Sequence, residues 1–267
     1  MRSIDGEVVG LGRAVVAAAC ALLLLLIRRQ PLPARRLWLR LAIKAAGVVL
    51  GFPLLSAIAL QSLPSSHAAM VVGLLPAASA ILAVVRAGER PSPGFWIASA
   101  VGLAAILVFC SARSPGTLQG PDLLLLGAVL SAAVGYTEGA LLARELGAWQ
   151  VICWALLLSA PIMTPVVCIR LYAVGWAPTA ASAAGFAYVS LVSMFLGFFA
   201  WYRGLAIGGI ARVGQLQLMQ PILNLLWSQL LLAETVTSLH VVTAMVVLGS
   251  VWAALRARAA NRSSGAL

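Results

Sequence analysis

Apolar runs of about twenty residues recur along this chain, and no other feature limits its fold so strongly. A helix needs about 20 mainly apolar residues to cross the hydrocarbon core of a bilayer. Nine runs meet that length: 8–27, 43–63, 67–86, 94–112, 123–142, 149–170, 183–203, 213–233 and 238–256. Turn formers stand between many of them: Pro31 and Pro33, Pro64-Ser65-Ser66, Pro91-Ser92-Pro93, Ser114-Pro115-Gly116 and Trp176-Ala177-Pro178. Membrane β-barrels are built from short alternating strands, so unbroken runs exclude them. A soluble fold is excluded too. Only 9% of residues are charged and 62% are hydrophobic, against about 25% charged in soluble domains. The expected fold is all-α and polytopic.

The net charge of +11 would point to nucleic acid in a soluble protein. Here the basic residues sit mainly between apolar runs and report orientation, because cytoplasmic loops carry the Lys/Arg excess. A cytoplasmic C-terminus places Arg28, Arg29, Arg35, Arg36, Arg40, Lys44, Arg86, Arg90, Arg144, Arg203, Arg212, Arg256, Arg258 and Arg262 on that side. The opposite side then receives only Arg2, Arg113 and Arg170, while Arg13 falls within a span. Nine spans put the N-terminus outside. The expectation is a multi-pass protein of the cell inner membrane, in contact with lipid and not with nucleic acid.

The chain repeats itself at an offset of 145 residues. Pro76 and Glu89 map onto Pro221 and Glu234, Leu60 onto Leu205, Val101 onto Val246 and Leu103 onto Leu248. The copies differ in charge: the basic connector 28–44 maps onto the uncharged stretch 173–189. Opposite charge dressing implies opposite insertion, an inverted repeat of the kind secondary transporters use. The repeats are expected over 1–118 and 119–258, with a cytoplasmic tail at 259–267. Span 123–142 has no counterpart, since 145 residues back lies before Met1. A five-plus-five parent therefore implies one further N-terminal helix.

Leu75-Pro76 through Gly88-Glu89-Arg90, then Trp96 and Gly102, resembles the signature of EamA-type transporters of the drug/metabolite transporter superfamily. Trp201-Tyr202-Arg203-Gly204-Leu205, Gln220-Pro221 and Ala233-Glu234 resemble it again in the second half, and Gly12-Arg13-Ala14 is similar to the start of the family's second helix. The resemblance implies a ten-helix, two-repeat exporter of amino acids, metabolites or drugs, here with nine helices. Thr235 departs from the pattern, where a basic residue often follows the glutamate.

Ionisable and polar groups inside a membrane are costly, so each is a candidate for function. Glu138 lies about one turn from the cytoplasmic end of its span. It reads as a proton or cation site or a ligand carboxylate, with protons then the coupling ion, or alternatively as a partner of Arg144 near the interface. Arg13 suits an anionic substrate group or snorkels to the outer interface. Gln217, Gln220 and Asn224 share one helical face at i, i+3 and i+7, and their amides suit a polar or zwitterionic substrate or bind neighbouring helices. Tyr136, Trp201 and Tyr202 are pathway-lining or interfacial aromatics. Pro76 and Pro221 are expected to kink helices, and Glu89 and Glu234 to cap or gate at helix ends. Gly47–Gly51, Gly135–Gly139 and Gly204–Gly208 allow close helix packing.

Cys20, Cys110, Cys153 and Cys168 lie in apolar stretches with no metal-ligand spacing, which reads as small buried hydrophobes. The chain has no HExxH and no pair of carboxylates within its apolar spans, so no catalytic residue, metal site or cofactor is expected. The expected function is secondary transport of a small molecule by alternating access around a midplane site. The alternative is a non-transporting membrane partner of the same fold.

Overall fold

A computed structural model describes residues 6–63, 68, 71–113, 120–175, 178–220, 223 and 238–263. Every regular element among the described residues is helical. The first helix, α1 (Gly6–Ile27), ends where Arg29 adopts φ 47° and Pro31 and Pro33 forbid continuation. A short 3-10 turn (Arg35–Leu37) leads into α2 (Trp38–Lys44), a π segment (Ala45–Gly51) and α3 (Phe52–Ala59), together one span. Next come α4 (Leu75–Ala87) and α5 (Pro93–Arg113). The long helices α6 (Gly120–Leu146) and α7 (Ala148–Val174) are separated by Gly147 alone, at φ 100°. A β-carbon there would be strained in that region.

Then α8 (Ala180–Tyr188), a second π segment (Val189–Leu196) and α9 (Gly197–Gly208) form one long span. Thr179 starts it by accepting from the Ser182 amide at 3.2 Å, which satisfies one orphan donor of the first turn. After it, α10 (Ile210–Gly214) passes into a 3-10 turn at Gln215–Met219, and α11 (Ser238–Ser263) ends the described chain. Among the described residues, five helices are long and apolar enough to cross a bilayer, and Leu75–Ala87, Pro93–Ala105 and Val241–Ala257 are shorter apolar helices. Large apolar side chains such as Leu23, Leu26, Ile27 and Ile169 stand exposed on them, as suits a lipid-facing surface.

The second span starts at Arg35, eight residues before the hydropathy boundary at 43. Its first turns are amphipathic: Leu37 and Leu41 are buried, whereas Arg35 and Arg36 are exposed. Leu, Arg and Lys are good helix formers, so the helix extends through a segment that hydropathy assigns to a loop. Pro76 stands in the first turn of α4, just after a break at Gly73–Leu74. A proline there costs no intrahelical hydrogen bond, so it restarts a helix rather than bending one. Pro221, Asn224 and Glu234 lie outside the described residues.

Packing divides the chain into two compact units. One comprises Met1–Ala57 and Val134–Ile207, the other Ile58–Ala133 and Gly208–Leu267. These units cut across the sequential division at residue 118, because each takes part of both halves. In the first unit α1 packs most extensively on α7; in the second, α5 packs most extensively on α11. An offset of 145 carries α1 into α7 and α5 into α11, so each helix lies against its own repeat mate. The same offset carries the first π segment, ending at Gly51, onto the second, ending at Leu196. π turns are uncommon and often mark functional positions; two at equivalent places extend the repeat to backbone geometry.

Candidate functional site

Three cations run down one face of the second span in the first unit. Arg36, Arg40 and Lys44 are spaced i, i+4, i+8, which stacks them in a stripe. Their exposure falls along it: the Arg36 side chain is 79% exposed, Arg40 21%, and Lys44 is fully buried at 0%. Facing them on α6 are Glu138 and Glu145, seven residues and two turns apart. Arg40 Nε donates to Glu138 Oε2 at 2.9 Å, and its Nη1 donates to Glu145 Oε1 at 2.6 Å. Arg36 Nη2 reaches Glu145 Oε2 at 3.5 Å. Arg40 thus ties two turns of α6 to α2. Arg144 donates to the Ala206 carbonyl at 3.1 Å, and Arg40 is an ion-pair partner of Glu138.

One turn deeper than Arg40 the environment of the stripe changes. Lys44 Nζ lies 4.9 Å from the Tyr202 ring centre and 5.8 Å from that of Phe198. It has no hydrogen-bond partner among the described residues. Ring faces attract a cation but accept no conventional hydrogen bond. Phe198 and Tyr202, one turn apart on α9, stack at 5.7 Å, and Tyr136 of α6 meets Trp201 edge-on at 5.8 Å and Tyr202 at 6.5 Å. The Tyr202 hydroxyl and Trp201 Nε1 are also buried without a partner among the described residues.

Small residues make this arrangement possible. A β-carbon added at Gly139 would run into the Tyr202 ring, and one at Gly135 would lie 2.6 Å from a Val48 methyl and 3.2 Å from the Lys44 carbonyl. The Gly135–Gly139 pair therefore admits α9 on one side and the first π segment on the other.

Of the residues singled out in the sequence, Tyr136, Glu138, Trp201 and Tyr202 come together here. Arg13 is half-buried, donates to the Gly10 carbonyl of its own helix at 3.2 Å and lies within electrostatic reach of Tyr136. Lys44 is the site residue that sequence alone does not single out, because at the edge of the run 43–63 it reads as one more cytoplasmic-side charge; its i+4 spacing from Arg40 is the available signal. Cys153 is buried within electrostatic reach of Lys44, whereas Cys168 is exposed and does not fit the reading of the cysteines as buried hydrophobes.

The second unit holds a different arrangement. Gly88, at φ 65°, ends α4, and the Glu89 amide donates back to the Ala83 carbonyl at 3.0 Å. That left-handed turn aims Glu89 at the start of α10. Its two carboxylate oxygens accept from the Ile210 and Ala211 amides at 2.7 and 2.9 Å. Two orphan donors are thereby satisfied by an anion at the positive end of a helix.

Nearby, Pro76, Trp96, Ser99, Leu103, Gln215 and Leu218 line a cavity of about 130 Å³. Gln215 is fully buried, and its Nε2 has no partner among the described residues. Gln217 is half-buried and Gln220 exposed. The 3-10 winding of Gln215–Met219 repeats every three residues, so Gln215 and Leu218 share the inner face and Gln220 turns out.

The sequence matches the EamA-like transporter family twice, over residues 1–111 and 120–256. It is 46% identical over 250 residues to an uncharacterized transporter, YdeK, of Bacillus subtilis, covering 91% of this chain and 85% of that protein. A protein of known crystal structure superposes with a TM-score of 0.76 at 17% identity, over 94% of this chain and 89% of its own; at that identity the likeness speaks for the fold. This chain therefore belongs to the EamA-like transporter family and is a multi-pass membrane transporter.

Proposed function

We propose that the protein exports a small metabolite, amino acid or drug-like compound across the cytoplasmic membrane by alternating access. One observation supports this reading: a cation stripe that ends at a fully buried ammonium among aromatic rings, without a hydrogen-bond partner among the described residues. Within a bilayer-spanning segment such a group is costly, and a purely structural bundle has no use for it. A pathway for a polar molecule does.

Arg40, Glu138 and Glu145 form a charged tie at the cytoplasmic end of this stripe. In the proposed cycle the tie opens and closes, and the π segments supply the local change of winding. Release by Arg40 frees Glu138 to exchange a proton, which makes protons the proposed coupling ion. The inverted repeats, 1–118 and 119–258, provide the two symmetry-related states, with the C-terminus in the cytoplasm.

The test is an export screen in cells overexpressing the chain, using metabolites and toxic analogues, with Lys44→Met as the comparison. The expected result is resistance to at least one compound class, lost in the variant although it inserts normally. Equal sensitivity of cells with and without the chain across the panel contradicts the reading.

A further inference from the structure

We propose that Lys44 receives the carboxylate of the transported molecule, and that this molecule is a monoanion with a flat apolar body. The inference rests on the transport reading above and gives it a substrate class.

The donor and acceptor inventory points to an anion. Lys44 Nζ, Tyr202 Oη and Trp201 Nε1 are buried and without hydrogen-bond partners among the described residues. An ammonium and an indole N–H donate only, and a phenol donates readily. The carboxylates of this unit nearest the stripe, Glu138 and Glu145, both accept from Arg40 one turn above. The stripe therefore carries three cations against two facing carboxylates, and the fully buried one, Lys44, is the cation these do not meet. A ligand carboxylate supplies the acceptors that this surplus lacks, as a charge-assisted hydrogen bond to an ammonium.

The walls indicate the rest of the molecule. Phe198 and Tyr202 stack beside the ammonium, and Tyr136 and Trp201 meet edge to face next to them. Rings in that arrangement present apolar faces and edges on which a planar group stacks. A single point-charge ammonium matches a single negative charge; a phosphate dianion draws on the paired forks that Arg provides, and Arg40 is already engaged.

Lys44 and Phe198 also sit next to the two irregular stretches of helix. Lys44 immediately precedes the first π segment, and Phe198 follows the second by one residue. Winding changes at either place move a wall of the site, which gives a fully enclosed ammonium a route to contact with its ligand.

The experiment is calorimetric titration of the full chain in lipid nanodiscs with phenylacetate, phenylacetamide and phenyl phosphate. The expected result is binding of the acid at least tenfold tighter than its amide, with phenyl phosphate no better than the amide. Lys44→Met should abolish the preference and Lys44→Arg retain most of it. Tyr202→Phe, which removes one hydroxyl and keeps the ring, should weaken acid binding several-fold; it also serves if Lys44→Met fails to fold. Equal binding of acid and amide, persistence of the preference in a folded Lys44→Met protein, or binding of phenyl phosphate as tight as the acid each overturns the proposal. Export of neutral compounds without any acid preference overturns it and leaves transport standing. Acid-selective binding with no compound exported sinks transport and leaves the site.

Discussion

Arg40 and Glu138, 98 residues apart in the chain, meet in a 2.9 Å ion pair with only 5% of the glutamate side chain exposed. A surface pair of this kind contributes at most about 1 kcal/mol, but a largely buried one leaves an uncompensated charge when either partner is removed. Glu138→Leu and Arg40→Leu should each lower the melting temperature in detergent by several degrees. The double variant should lose less than the sum, with a coupling of about 1–2 kcal/mol. Additive losses would show that the two groups do not act together. Glu138→Gln should abolish proton-coupled flux while leaving insertion intact; unchanged flux with unchanged pH dependence would remove Glu138 as the coupling group.

Gly135 lies against the Val48 side chain and the Lys44 carbonyl, so Gly135→Ala overpacks a rigid contact. The expected loss is about 1–3 kcal/mol, read as a lower melting temperature. Gly185→Ala is the matched control, because its β-carbon meets nothing within 4 Å and alanine favours the helix by about 1 kcal/mol. It should be neutral or slightly stabilising. The reverse order of the two variants would mean that α6 does not approach the first π segment as described.

Glu89 holds the first two amides of α10 with both of its oxygens. Glu89→Ala should destabilise the protein by about 1–2 kcal/mol, the range for losing a helix cap, and Glu89→Gln by less, since one oxygen remains to accept. Thermal unfolding of the three proteins orders them. If alanine and glutamine cost the same and flux alone falls, Glu89 acts as a charge in transport and not as a cap.

Much of the architecture was legible because hydropathy, breakers and the offset of 145 are properties of sequence. The runs at 8–27, 123–142 and 149–170 reappear inside α1, α6 and α7, which have 22, 27 and 27 residues and so extend beyond each run. Glu138, Tyr136, Trp201 and Tyr202 stood out because polar and aromatic groups are rare on such spans. Lys44 did not, since a basic residue at the edge of an apolar run reads as an orientation charge, and only helical stacking below Arg36 and Arg40 marks it as part of a site. The Gln217, Gln220 and Asn224 face assumes a period of 3.6, but the chain winds as 3-10 over Gln215–Met219. That change of register buries Gln215 and turns Gln220 out. The π segments leave no hydropathy trace, because a changed hydrogen-bond pattern alters no side chain.

Alternating access by mirrored halves requires the connector after α1 and its repeat mate after α7 to face opposite compartments. Single cysteines at Leu32 and Thr179, in a chain freed of Cys20, Cys110, Cys153 and Cys168, report this with a membrane-impermeant thiol reagent and need no substrate. Both positions are exposed. The predicted outcome is labelling of Thr179→Cys from outside intact cells, with Leu32→Cys modified only after the cytoplasmic face is opened. Modification of both from the same side would contradict opposed insertion and the transport cycle built on it.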